Sequence, residues 1–429
     1  MIQRPPSSLP TLALACVLGC LPAASQAQAV PAPWFARASL ALLHDTNYLR
    51  LADGQAAPAG YTKSDKITVG SVSAGFYHTF GTDQRAYGRA ELRSNRQANN
   101  NRFDSEGWRV VAGIDWRTAG QISGELRLLA DRSQAAFESG VVGVPVASNL
   151  IDLTQADAVF RYGRTTGLNT EAAFGWREVD YSAAQFDSRD FHESWASAGL
   201  RYRPSERSSI GLSLRGTRGS YPRFRALAGG AFQADDYRGR FVDLTATYVA
   251  TGKSTLNARL SSGRTTHADA TQSGYDGLSG NLRWDWNATR KLTLSATLSR
   301  EPMQDAYFLA AQTSNRPIEF GRITSGARLG ADYEASARLR MRASLEAVHR
   351  ELSQSFPLAA GGAALVNGSD RAWIGGLGVS WEPVRWISLG CDIGHESRKG
   401  KAPLAADITV SKLGCQVQLQ LEGGRQEGR

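Results

Sequence analysis

Beyond its first 29 residues this 429-residue chain has no long hydrophobic run. A membrane-crossing helix needs about 18–20 apolar residues in succession, so helical anchoring of the remainder is excluded. Cysteine is scarce: four in all, and only Cys391 and Cys415 lie past the leader, which excludes a disulfide-dense scaffold or a cysteine-rich zinc module. The six histidines, at positions 44, 78, 192, 267, 349 and 395, are scattered, with no His-Glu-x-x-His pair of metal ligands. No Gly-x-Ser-x-Gly nucleophile elbow is present either. "TGKST" at 251–255 copies the end of a phosphate-binding loop, but Thr247 stands where its first glycine belongs, and the stretch reads as a hairpin turn. Catalysis is therefore not expected, and neither is a cofactor. A wall-mounted Ser-His lipid hydrolase is the enzymatic rival; it would use histidines such as His78, His349 or His395, all of which fall on apolar parity as structural side chains do. Charge of one sign is also modest: 49 Lys and Arg against 40 Asp and Glu give +9, with arginines spread along the chain. A nucleic-acid binder clusters its basic residues, so no nucleic-acid partner is expected.

The leader itself reads as an export signal over residues 1–29. Arg4 supplies its positive start, Leu9 to Leu21 its short apolar segment, and Ala27-Gln28-Ala29 a small-residue cleavage site. Val17-Leu18-Gly19-Cys20 resembles a lipidation box; cleavage after Ala29 is the reading adopted, because Pro22 and a proper cleavage region follow. An exported protein that enters a membrane without helices must close into a β-barrel, since lipid leaves no other way to satisfy the backbone.

Period-two alternation is what the chain has in abundance. In "RKLTLSATLSRE" (290–301), Leu292, Leu294, Ala296 and Leu298 alternate with Thr293, Ser295, Thr297 and Ser299. The same rhythm recurs in about eighteen segments, each near the ~9–11 residues of a tilted membrane strand. Short turns fall near 81–84, 117–120, 163–166, 203–206, 250–253, 287–290, 334–337 and 382–385. Longer polar loops such as 52–65, 133–151, 219–236, 302–317 and 353–369 lie between them. This predicts an all-β, closed antiparallel transmembrane barrel over 30–422, with brief periplasmic turns, long extracellular loops, and a polar tail at 423–429. A propeller, which needs four strands per repeat, is the weaker alternative.

Each short turn is preceded by an aromatic on its strand's apolar face: Phe80, Trp116, Tyr162, Tyr202, Tyr248, Trp286, Tyr333 and Trp381. Aromatics favour strand ends in any sheet, but all eight turns conform, and a ring at one level is an interfacial girdle. The outer partner is then outer-membrane lipid, and the opposite face lines water. That wet face is rich in arginine, with Arg201, Arg215, Arg259, Arg283, Arg328, Arg338, Arg340 and Arg342 as candidate pore-lining residues. They either make a mildly positive pore for anionic or hydroxyl-rich solutes or brace the wall through cross-strand ion pairs. Cys391 and Cys415 fall on apolar faces of the last hairpin; the reading preferred is two small hydrophobes facing lipid over a disulfide.

"HDTNYLRL" (44–51), "SDKIT" (64–68), "AGIDWRTAGQISGELRL" (112–128), "SSIGLSLRGTRGSYP" (208–222), "LSGNLRWDWNATRKLTLSATLSRE" (278–301) and "ITVSKLGCQVQLQL" (408–421) carry a family likeness. With these the chain resembles the EpsL-type outer-membrane proteins of exopolysaccharide export, within the wider group of β-barrel porins. The resemblance implies a non-enzymatic role in releasing a polysaccharide, with the polymer and other export components as partners; a general or small-solute diffusion porin and a non-conducting outer-membrane scaffold are the alternative readings. Asp45 and Asn47 are the motif residues it carries over, shaping the mouth of the first strand. His44 departs from the aromatic or acidic residue usual before that motif. The last strand ends at Leu421 rather than on the aromatic residue with which such barrels commonly finish.

Overall fold

The computed structural model describes residues 32–423 except 82, 119–120, 138–147, 165, 228–229, 269–273, 308–317, 358–362 and 402. The expected export signal and most of the polar tail lie outside the described residues.

Eighteen strands follow one another in the chain. They are β1 (Trp34–Asp45), β2 (Asp65–Phe80), β3 (Gln84–Gln97), β4 (Ser105–Arg117), β5 (Ile122–Gln134) and β6 (Leu150–Gly163). Next come β7 (Gly167–Tyr181), β8 (Phe191–Ser205), β9 (Ser208–Ala226), β10 (Phe232–Thr251), β11 (Ser254–His267) and β12 (Asp276–Asn287). The series ends with β13 (Leu292–Tyr307), β14 (Ile318–Glu334), β15 (Leu339–Pro357), β16 (Ala363–Val384), β17 (Ile387–Gly400) and β18 (Ile408–Glu422). Every strand pairs antiparallel with its sequence neighbours, and β1 pairs with β18 from Phe35↔Glu422 to Asp45↔Lys412. One closed sheet with no free edge results, which rules out the propeller.

Both chain ends of the sheet lie with the short turns, where the Gly423 N–H donates to the Trp34 carbonyl at 3.0 Å. "TGKST" is the turn between β10 and β11, as its composition predicts. The strands run from 12 residues in β1 to 22 in β16, longer than the membrane-crossing length alone requires. The segments 219–236 and 353–369, expected as loops, are in large part strand, with β9 reaching Ala226 and β16 starting at Ala363, and the start of 302–317 belongs to β13, which reaches Tyr307. These hairpins continue beyond the lipid, where the outer face no longer needs to be apolar and the alternation that reveals a strand fades.

The sheet buries no conventional apolar core. Its outer face carries exposed Leu42, Leu92, Leu212, Leu214, Leu298, Leu329, Leu377 and Ile393, while buried apolar clusters occur in the loops at the mouth. A continuous exposed apolar belt on a closed sheet is stable only against lipid. Cys391 and Cys415, directly paired across β17 and β18, are joined by a disulfide. This corrects the reading of two separate small hydrophobes; the direct cross-strand register puts the two sulfurs side by side.

Candidate functional site: the lumenal wall and its mouth

Strand pleating sends alternate side chains inward, and sheet register decides which charges meet. Arg161 on β6 bridges Glu125 on β5 at 2.7 Å and Glu171 on β7 at 2.8 Å. Arg201 on β8 joins the same Glu171 at 3.0 Å, so a ladder of charges crosses four strands. Farther round, Asp243 on β10 holds Arg215 of β9 at 2.8 Å and Arg259 of β11 at 3.3 Å. Arg283 pairs with Asp285 on its own strand at 2.8 Å, Arg340 with Glu334 at 3.5 Å, and Arg342 with Asp332 at 3.8 Å. Arg328 is exposed on β14 opposite Glu346. Arg338 is misplaced by the sequence reading: it belongs to the short turn before β15, outside the paired wall. Six of the eight candidate arginines thus sit against carboxylates. Each water-exposed pair adds only about 0–1 kcal/mol to stability, so its main effect is a charge-compensated, hydrogen-bonding lining.

The long-loop end is partly covered. The loop from β1 to β2 (residues 46–64) begins with the Asp45-x-Asn47 motif. Asp45 accepts from the Asn47 backbone N–H at 2.9 Å and forms an ion pair with Arg50 at 2.8 Å. That pair holds Arg50 at φ 58°, a left-handed conformation unusual for a side-chain-bearing residue. Asn47 is wholly buried; its side chain donates to the Leu51 carbonyl at 2.7 Å and accepts from the Leu51 N–H at 2.9 Å. The hook packs Leu49 and Leu51 on Phe103, with Tyr48, Tyr61 and Phe137 around them. Gln97 and Gln134 donate to the Tyr48 hydroxyl at 3.0 and 3.1 Å, carrying the loop across to β3 and β5. Burial pushes the Tyr48 hydroxyl above its usual range.

Two other segments close in. A short 3-10 turn, Ala184–Arg189, follows β7 and lies against both β9 and β13, four strands apart, so it spans a chord of the mouth. Residues 403–407 fold back over the inner face of β15 and β16, where Leu404 and Ala405 pack on Leu352 and Val366. A side chain at Gly368 would meet Leu404 at 2.9 Å, so glycine there permits the close approach. Beneath this loop, Asp370 is fully buried between Arg350 and Arg398, at 2.5 and 2.7 Å. Glu396 completes the cluster at 2.9 Å from Arg398.

Sequence reasoning missed a second lumenal feature, an aromatic wall on β8–β11. Trp195 and Phe241 each stand seven residues from the short-turn aromatics of their strands, Tyr202 and Tyr248; Phe191, Tyr221, Tyr237 and His267 form a contiguous ring cluster nearer the mouth. The rings rest on glycines: a Cβ at Gly175 would strike Trp195, one at Gly219 would strike Tyr237, and one at Gly263 would strike Phe241. Arg215 stacks on Phe241 at 4.2 Å and Arg177 on Phe191 at 4.8 Å. Tyr237 donates to Glu193 at 2.9 Å, and His267 contacts Asp235 at 2.6 Å. The signal was available, because these aromatics fall on the wet parity of their strands.

On the outside, seven of the eight turn-proximal aromatics are exposed, while Trp116 is half-buried against Phe160 at 5.6 Å. The sequence reading named one ring, yet Trp108, Trp176 and Trp373 are exposed near the opposite edge of the belt. Eight residues separate Trp373 from Trp381. At ~3.3 Å per residue that is about 26 Å along the strand, and about 20 Å across the membrane at a tilt near 40°.

No family model matches the chain, and no curated protein matches it. Among solved structures the chain is similar to the Pseudomonas aeruginosa outer-membrane protein OccK1 (OpdK), at 14% identity and TM-score 0.47, covering 90% of this chain and 99% of that one. Pseudomonas aeruginosa OccK9 (OpdG) gives 14% identity, TM-score 0.44, and coverage of 90% and 98%. The ferric enterobactin receptor PfeA of the same organism gives 8%, 0.41, and 90% and 80%. The architecture rests on the strand pairing itself: this chain is a closed, antiparallel, eighteen-stranded transmembrane β-barrel.

Proposed function

We propose that the protein is a channel of the bacterial outer membrane for small polar solutes, reached by cleavage of the leader at Ala29. The observation carrying this reading is a charge-compensated wall beneath a mouth narrowed by three inward-leaning segments, 46–64, 184–189 and 403–407. An eighteen-stranded sheet is wide enough for an aqueous bore; what reduces it is loop, not packed core. The paired arginines and carboxylates offer donors and acceptors side by side, which suits solutes that exchange hydrogen bonds with water as they pass. Aromatics at both belt edges anchor the wall at the headgroups. Passage needs no cofactor and no covalent step.

Polymer release, the role implied by the exopolysaccharide-export likeness, stands on short motifs alone. The one motif pair it transfers, Asp45 and Asn47, has a complete structural account in the loop hook. A conduit for a chain polymer would also need the three mouth segments moved aside. Liposome swelling tests the reading: barrels reconstituted into vesicles should admit monosaccharides and small acids and retard sugars of several units. Vesicles equally tight to every solute would refute it. A deletion strain that held its polysaccharide inside the envelope would favour the export role instead.

A further inference from the structure

The outer surface carries one charge cluster that neither the lumen nor the belt accounts for. Arg218 on β9, Arg238 and Arg240 on β10, and Arg264 on β11 all point outward and are exposed. Register sets Arg238 directly opposite Arg218, and Arg240 directly opposite Arg264. Directly opposed side chains in an antiparallel pair stand about 5 Å apart, and like charges so placed destabilise the sheet. Several other exterior basic groups are compensated: Arg96 meets Glu106 at 2.8 Å, Arg132 meets Asp152 at 3.6 Å, and Lys399, which stands opposite Arg371, meets Asp407 at 2.7 Å. Among the described residues none of the four clustered guanidiniums is within ion-pair distance of a carboxylate, although Asp276 on β12 stands directly opposite Arg264 and Asp236 lies two residues before Arg238, which leaves four cations against two carboxylates.

Height locates the cluster. Arg218, Arg240 and Arg264 each stand eight residues from Ile210, Tyr248 and Leu256 at the short-turn edge, the spacing that separates Trp373 from Trp381. They therefore lie at the headgroup level of the outer leaflet. Directly below, Leu212, Leu214, Val242, Leu244 and Leu260 present exposed apolar surface. Gly216 faces outward beside Arg240 with nothing within 4 Å of its Cβ position, leaving a shallow recess between charge and belt.

We propose that this cluster is a binding site for a phosphorylated glycolipid of the outer leaflet, its phosphates held by the four arginines and its acyl chains laid on the belt of β9–β11. Guanidinium forks bind phosphate oxygens through strong charge-assisted hydrogen bonds. Two phosphates on one headgroup would relieve both opposed arginine pairs. A free anion would meet the charges but not the apolar surface. The inference rests on the outer-membrane reading and not on conduction.

The test is native mass spectrometry of the detergent-purified barrel titrated with bisphosphorylated hexa-acyl lipid A, its monophosphorylated counterpart, and inorganic phosphate. The account expects one bisphosphorylated lipid retained per barrel and weaker retention of the monophosphorylated form. Arg218→Gln, Arg238→Gln, Arg240→Gln and Arg264→Gln together should lower affinity at least about tenfold, whereas Arg132→Gln should bind as the native protein does. Equal binding by the fourfold variant overturns the proposal, as does displacement of the lipid by millimolar phosphate. So does a dimer of the barrel that occupies this face. Should the fourfold variant fail to fold, the native protein decides: equal retention of the two lipid forms refutes the site. Density-gradient fractionation of cells separates the failures, since a barrel found in the outer membrane without lipid selectivity sinks this inference alone.

Discussion

Leu377→Arg is the substitution that asks most sharply what lies outside the sheet. Leu377 is 62% exposed on β16, four residues from Trp373 and four from Trp381, at the middle of the belt. Were its surroundings water, arginine there would change stability by no more than about 0.5 kcal/mol, as for ordinary surface positions. In lipid, an arginine at the midplane of a barrel costs about 2–4 kcal/mol. A cost near 3 kcal/mol shifts the folded-to-unfolded ratio about 150-fold. The control is Ser344→Arg on β15, whose side chain lies on the wet parity beside Arg342 and Glu346; its cost should stay under about 1 kcal/mol. Urea unfolding of both variants in lipid vesicles reads the difference, with the slope against urea checked for constancy. Equal effects of the two arginines, in either direction, would refute the assignment of lipid to the Leu377 face.

Four further outcomes follow from named contacts. Asn47→Ala strips the buried Leu51 N–H and carbonyl of their partners, costing about 2–4 kcal/mol locally; protease should then cut within 52–61 while global unfolding barely moves, and an uncut loop would contradict the hook. Asp370→Asn leaves Arg350 and Arg398 buried without full compensation, and unfolding should show a loss of about 3–5 kcal/mol. Breaking the Cys391–Cys415 bond frees a 24-residue separation, for which chain entropy gives about 3.5 kcal/mol; a smaller shift in the unfolding midpoint on reduction would show that β17–β18 pairing persists in the unfolded reference. Burial pushes Asp190 up to about 6, against the pull of the Tyr181 N–H and of Arg223. Its folded form therefore binds the proton more tightly, and its contribution, full below about pH 4, is lost as pH rises through 6. Protection factors across 182–190, taken relative to the base-catalysed intrinsic exchange rate at each pH, should accordingly be higher at pH 5 than at pH 7.5, and the reverse order would count against a buried Asp190.

The barrel itself was legible because lipid on one side and water on the other write a strong period-two pattern, as at 290–301. The same cause explains the misses. Residues 219–226 and 232–236 belong to strand ends beyond the lipid, where buried Phe224 and Asp235 break the apolar-polar rhythm, so alternation no longer distinguishes them from loop. Partnerships were illegible for a different reason. Arg161 finds Glu125, 36 residues away, only once strand register is fixed, and register is a property of the sheet. The disulfide is the same case: each cysteine's face was readable, their direct opposition was not. Asp45 and Asn47 stood out as a motif, yet the hook that explains them needs Arg50 in a left-handed conformation that its residue type does not announce. Lumenal aromatics such as Trp195 and Phe241 were readable by parity, since a ring on a wet face calls for an explanation.

Single-channel recording from the purified barrel in a planar bilayer tests the central claim most directly. The account predicts discrete conductance steps that rise with salt concentration, small for an eighteen-stranded wall because the mouth is narrowed, and larger when 401–407 is shortened. Barrels that insert, as shown by lipid-protected strands after proteolysis, yet pass no current even with the shortened loop would contradict it and leave a sealed scaffold.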